Sequence, residues 1–183
     1  GVVTTLAGTG DHDFADGTGT AATFSGPQGV AVDGSGNVYV GDDGNRRIRK
    51  ITSEGVVTTL AGNGSPGSYN GTGTDATFLN SMGIAVDGSG NVYVADKDNK
   101  KIRKITAAGV VTTLAGSGSE GLDNGTGTAA SFRYPKGVAV DASGNVYVAD
   151  YWNHLIRKIT SAGVVTTFAG SGSGGSADGT GTA

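Results

Sequence analysis

Asp33-x-Ser35-x-Asn37 sets three oxygen-bearing side chains at alternate positions, and the pattern returns at Asp87/Ser89/Asn91 and Asp141/Ser143/Asn145. Some calcium loops use this spacing. None of the three, however, is followed by the bidentate carboxylate that closes such a shell. The pattern reads instead as hairpin chemistry, with Asp and Ser bonding nearby backbone amides. His12 and His154 lie in non-equivalent loops, and no motif places a serine nucleophile between them. The only two glutamates, Glu54 and Glu120, fall in a turn and a loop. With zero cysteines, thiol catalysis, thiolate metal sites and disulfides are excluded. We therefore expect no enzyme, no metal and no cofactor.

Other residues suit binding rather than reaction. Tyr151 and Trp152 could stack on a sugar or a peptide, with His154, Tyr134, Tyr69 and His12 completing the set of candidates. The alternative use of these aromatics is to cover loop glycines or pack between neighbouring elements. Basic residues recur at Arg46, Arg47, Arg49 and Lys50, then Lys100, Lys101, Arg103 and Lys104, then Arg157 and Lys158. Such a stripe could bind a phosphate backbone or an anionic polysaccharide. Asp42, Asp43, Asp96, Asp98 and Asp150 share the same turns, so local pairing is the expected use. The net charge of −3 adds no long-range pull toward nucleic acid or an anionic membrane. No apolar run approaches the roughly 20 residues of a spanning helix.

The elements that carry these residues are repeats. GVVTTLAG begins at 1, 55 and 109, and GVVTTFAG begins at 163, a period of 54 without gaps. Between residues 55–108 and 109–162, 37 of 54 positions are identical, so each unit must form the same structure. The 35 glycines keep fixed places, as turns do and flexible polymers do not. In the first unit the strands are a (29–33), b (37–42), c (48–52) and d (56–61), all rich in Val, Ile, Thr and Tyr. Ile48 and Ile51 are an odd number apart, so both faces of strand c are apolar. Sheets buried on both faces by neighbouring sheets predict an all-β fold of β-propeller blades, four antiparallel strands each and three blades per chain. Phe24, Phe78 and Phe132 precede strand a at one fixed position and read as plugs between blades.

VAVDGSGNVYVGDDGNRRIRKI, IAVDGSGNVYVADKDNKKIRKI and VAVDASGNVYVADYWNHLIRKI resemble NHL repeats, the blades of NHL β-propellers. Asn153-His154-Leu155 matches the name-giving triplet; Asn45-Arg46-Arg47 and Asn99-Lys100-Lys101 depart from it. The resemblance implies the fold and leaves function open, because such blades serve as sensors, enzymes, RNA binders and scaffolds. Three functions are carried forward. One is a non-catalytic module for binding or scaffolding that assembles through blade–blade contacts. Another is a propeller fragment, or an engineered or repeat-amplified protein, with no ligand of its own. The third is a metal-dependent lactonase-like enzyme, which lacks support because strand a is small and apolar. A protein or glycan ligand on the loop face is expected for the first. Localisation stays open, with a lean toward an exported or cell-surface bacterial protein.

Of the 17 mismatches between the second and third units, ten fall in the d-to-a connection and four around the b–c turn. In an up-and-down blade these connections share one end, which is where a ligand face would form. The expected layout is an unpaired copy of strand d at 1–8, blades at 9–62, 63–116 and 117–170, and a copy of the inter-blade loop at 171–183. Three blades do not close a ring, so a head-to-tail homodimer of six blades is expected. Its assembly edges would be Val2, Val3, Thr4, Thr5 and Leu6 at one end and Val164, Val165, Thr166, Thr167 and Phe168 at the other. Of these rival copies, 164–169 is expected to stay with its own blade, because its hairpin from strand c closes a short loop.

Overall fold

The structure is a computed structural model that describes residues 1–182; Ala183, the last residue of the expected C-terminal loop copy, lies outside them. Fifteen strands form three separate antiparallel sheets of the same topology. The first sheet holds β1 (Gly17–Thr18), β2 (Pro27–Val32), β3 (Val38–Asp42), β4 (Arg47–Ile51) and β5 (Val56–Ala61), in the spatial order β1-β5-β4-β3-β2. The second holds β6 (Gly71–Thr72), β7 (Ser81–Val86), β8 (Val92–Asp96), β9 (Lys101–Ile105) and β10 (Val110–Ala115). The third holds β11 (Gly125–Thr126), β12 (Pro135–Val140), β13 (Val146–Asp150), β14 (Leu155–Ile159) and β15 (Val164–Ala169).

The four strands a to d are thus present in every blade, and each blade adds a fifth. Two Gly-Thr residues of the leading loop pair with the outer strand, as in Gly17 opposite Val57 and Thr18 opposite Val56. A two-residue strand has no alternation to read, so sequence periodicity cannot find it. The strand d copy at 164–169 is β15, paired with β14 of its own blade. The copy at 1–8 belongs to no strand, and Val2 and Val3 stand 93% and 96% exposed.

The a–b hairpin shows why Asp, Asn and Tyr recur together. Asp33 Oδ1 accepts hydrogen bonds from the amides of Ser35 and Asn37, both at 2.9 Å. Its Oδ2 accepts from Asn37 Nδ2 at 2.8 Å and from the Tyr39 hydroxyl at 3.1 Å. Asn37 turns its NH₂ group, not its carbonyl, toward the carboxylate, so the three groups form a turn rather than a cation shell. The Asn37 side chain and the amide bonds hold the Asp33 carboxyl below its usual range. Burial, joined by the bond to the neighbouring aspartate, pushes the Tyr39 and Tyr93 hydroxyls up to about 12. An unfolded tyrosine ionises near 10, so the stability these two supply is present below about pH 10 and lost as the pH rises toward 12. Ultraviolet titration will show two of the six tyrosines ionising late, together with alkaline unfolding.

The apolar core lies between sheets. Tyr39, Ile48 and Ala61 of blade 1 pack on Ala76, Phe78, Ile84, Val92, Val94 and Ile105 of blade 2. Tyr93, Ala95, Ile102 and Ala115 of blade 2 meet Ala130, Phe132, Val146, Val148 and Ile159 of blade 3 in the same manner. The inner strands β2, β7 and β12 lie side by side. Gly29 and Gly83 are required by that approach and not by their φ: a β-carbon at Gly83 would overlap the carbonyl oxygen of Lys136 and stand 2.8 Å from the Val138 nitrogen.

Candidate functional site

Each b–c turn is anchored by a buried polar cluster. In blade 2, Asp96 and Arg103 are both 0% exposed, and Arg103 Nη1 donates to Asp96 Oδ2 at 2.8 Å. The same guanidinium donates to the carbonyls of Thr77 at 3.1 Å and Tyr69 at 2.9 Å, and to Asn70 Oδ1 at 3.0 Å. Asp96 Oδ1 accepts from the Leu79 amide at 2.9 Å, and Asn99 Nδ2 donates to both carboxylate oxygens. Asp42–Asn45–Arg49 and Asp150–Asn153–Arg157 repeat the arrangement. Burial raises the Asp96 and Asp150 carboxyls, opposed by the backbone amides and side chains that bond to them.

Three arginines of the strand c stripe make the local pairs expected of them, Arg49 with Asp42, Arg103 with Asp96 and Arg157 with Asp150, but inside the blade rather than on its surface. Arg49, Arg103 and Arg157 are wholly buried because the leading loop folds over the sheet edge and supplies carbonyls to their Nη groups, each Nε being left without a partner. They are tied up within the blade and offer nothing to a polyanion. The sequence did contain a signal: Asp-x-x-Asn-x-x-x-Arg recurs unchanged in all three units, whereas the neighbouring Arg47, Lys101 and Leu155 vary.

The clusters position an aromatic cleft that occurs at one place. Asp150 Oδ1 holds the Arg133 amide at 2.7 Å, and the Arg133 carbonyl accepts from the Trp152 amide at 3.1 Å. This brings the loop before β12 and the b–c turn of blade 3 together. Tyr134, Tyr151 and Trp152 then line an open cleft of about 590 Å³ with Lys97, Glu120, Arg133 and Lys136. The Tyr134 and Trp152 rings lie 6.3 Å apart at 58°, and those of Tyr151 and Trp152 lie 5.9 Å apart at 90°. Lys136 Nζ sits 3.4 Å from the Tyr151 ring centre, and Lys97 of blade 2 lies 5.9 Å from that of Tyr134. Arg133 pairs with Glu120 at 3.3 Å, both being about half exposed, so that pair contributes little.

Three of the six sequence candidates therefore come together, and three do not. Tyr69 is 76% exposed in the leading loop of blade 2 and contributes its carbonyl, not its ring, to Arg103. His12 lies against Phe24 at the far side of blade 1. His154 caps the b–c turn at φ 54° and faces the segment around Gly174. Lys97, Arg133 and Lys136 were not among the candidates: Lys97 comes from the preceding blade and leaves no local pattern, whereas Arg133 and Lys136 flank Tyr134 and depart from the repeat as it does. Among the described residues no group of three or more His, Asp or Glu is placed to hold a metal ion.

The NHL repeat profile matches residues 24–51 and 132–159. NHL repeat-containing protein 3 of Mus musculus is 32% identical over 146 residues, which cover 74% of this chain and 39% of that protein. Protein SUPPRESSOR OF QUENCHING 1, chloroplastic, of Arabidopsis thaliana is 27% identical over 171 residues, 87% of this chain and 16% of that protein. Among solved structures, a structural genomics protein of unknown function from Bacteroides thetaiotaomicron VPI-5482 superposes with a TM-score of 0.62 at 30% identity. That match covers 67% of this chain and 32% of the other. The chain thus spans well under half the length of each. With the profile falling on the a–b–c strands of blades 1 and 3, the chain belongs to the NHL-repeat family.

Proposed function

We propose that the chain is a non-catalytic propeller module that binds a protein or glycan ligand in the cleft formed by Tyr134, Tyr151 and Trp152. Tyr134 carries this reading. Its backbone is held at φ 52°, where the equivalent positions are Gly26 at 56° and Asn80 at 64°. Glycine takes this conformation without cost and asparagine with little, whereas a bulky side chain costs on the order of 1 kcal/mol there. A tyrosine kept at a glycine position, its half-buried ring turned to an aromatic cleft, fits a residue retained for contact rather than for folding. The wedge of tilted rings offers flat apolar faces, and Lys97 and Lys136 supply donors at its rim.

The test is a glycan and peptide array followed by calorimetry on any hit. Tyr134→Gly will melt at or above the parent temperature while losing affinity. Tyr151→Ala with Trp152→Ala will weaken binding by at least about tenfold. Affinity unchanged in that double variant, or an array without a hit, overturns the site.

A further inference from the structure

The aromatic cleft gathers positive charge in a chain whose net charge is −3. Lys97 and Lys100 of blade 2 stand 5.9 and 5.8 Å from the Tyr134 ring centre. Lys136 stands 3.4 Å from the ring centre of Tyr151, and the Arg133 guanidinium 5.7 Å from that of Trp152. Arg133 is matched by Glu120 at 3.3 Å and Lys97 by Asp98 at 3.6 Å. Among the described residues Lys100 and Lys136 enter no ion pair. Two cations beside the cleft thus lack a counter-charge.

Folding does not require this charge. The places of Arg133 and Lys136 are held by Leu79 and Met82 in blade 2 and by Ser25 and Gln28 in blade 1. Asp43 holds the place of Lys97 in blade 1, and all three blades form the same sheet. The basic residues therefore leave the repeat at the junction where the aromatic rings leave it. Two departures of different chemistry at one place call for a ligand with both an apolar face and an anionic group.

The shape of the cleft selects among such ligands. The Tyr134 and Tyr151 rings are inclined to that of Trp152 by 58° and 90°. They offer separate platforms, not the continuous stack that suits the bases of a single strand. A peptide fits poorly through its amides. The Arg133 and Trp152 amides and the Arg133 carbonyl already bond within blade 3, which closes this backbone to strand addition. Lysine, arginine and the indole N–H only donate, and Arg133 occupies the Glu120 carboxylate, so peptide N–H groups meet few acceptors. A uronic acid meets the lining better. Its pyranose has an apolar C–H face, and its carboxylate, an acceptor-only anion, is fixed to the same ring. Lys136 on Tyr151 and Lys97 beside Tyr134 set a charged donor and an aromatic ring within one sugar's width. Resting on the cleft as the binding site, we propose that its ligand is an acidic glycan, a chain of uronic acids. Its rings lie on Tyr134, Tyr151 and Trp152, and its carboxylates accept from Lys97, Lys100 and Lys136.

The test is calorimetry in calcium-free buffer with fragments of polygalacturonate, alginate and hyaluronan. Their methyl-esterified forms, a polyglutamate peptide and a single-stranded oligonucleotide serve as controls. At least one uronate chain will bind, and its ester, the peptide and the oligonucleotide will each bind about tenfold more weakly or worse. Lys97→Met with Lys136→Met keeps the aliphatic stems while removing two charges. It will lower uronate affinity by about tenfold or more and flatten its salt dependence, at the melting temperature of the parent. Failure of every uronate chain to bind overturns the proposal, as does an ester, peptide or oligonucleotide bound as tightly, or an affinity indifferent to the lysine pair. A neutral ligand lost in Tyr151→Ala with Trp152→Ala keeps the cleft and rejects the acidic class. Uronate binding that survives that double variant rejects both.

Discussion

Arg103→Ala will destabilise the chain by about 3–5 kcal/mol and lower the melting temperature by roughly 6–20 °C. The guanidinium is fully buried and makes four hydrogen bonds, to Asp96, Thr77, Tyr69 and Asn70. Its loss strands two carbonyls and leaves a buried carboxylate whose remaining donors are the Leu79 amide and Asn99. An unpaired buried charge costs more than the pair contributes, so Arg103→Met combined with Asp96→Leu will recover much of the loss. Thermal and denaturant melts of the two variants measure the difference. If Arg103→Ala melts within a degree of the parent, the cluster is not what holds the leading loop on the blade.

Phe78→Ala will cost about 3–5 kcal/mol, while Phe24→Ala, at the equivalent position, will cost about 2 kcal/mol or less in dilute solution. The chemistry of the deletion is identical. Phe78 is 0% exposed between two sheets and leaves a cavity that neither can collapse to fill. Phe24 is half-buried at the open face of blade 1, where solvent and neighbouring side chains can take up the space. Phe132, also 0% exposed, will behave like Phe78. The three substitutions thus measure blade–blade packing with the repeat as its own control. Equal costs at dilution would mean that the core lies within sheets rather than between them.

Much of this architecture was legible in the chain. Gapless recurrence of four Val- and Ile-rich runs between glycine turns determines strands, hairpins and stacking, because such strands are apolar on both faces. Phe24, Phe78 and Phe132 read as plugs for the same reason; Phe78 and Phe132 fill that place between blades, whereas Phe24 is half-buried against its own blade. What escaped was long-range. Arg49, Arg103 and Arg157 lie beside lysines in IRKIT, and charge alone makes them look solvated although alternation sets them on the face of Ile51, Ile105 and Ile159; the loop that covers them comes from about 33 residues upstream. The two-residue Gly-Thr strands are too short to carry a period. At the cleft, Tyr134, Tyr151 and Trp152 stood out by departing from the repeat. Lys97 could be assigned only once blades 2 and 3 were in register, and Lys136 only once the loop before β12 met the b–c turn of its own blade.

The Asp–Asn–Arg cluster has a consequence for descent. Every hydrogen bond of the Arg157 cluster joins groups within residues 121–157, a span shorter than the 54-residue period. Donors and acceptors are therefore copied together whenever one unit of coding sequence is duplicated, and none is orphaned by the event. The contact from one unit to the next is mainly apolar, with a recurring amide bond (Gly62 to Gly73, Gly116 to Gly127) that is copied with it, and faces that are copies of each other fit without adjustment. A gene built this way can gain or lose whole units by recombination between its own repeats, with the hydrogen bonds of each cluster intact in every product.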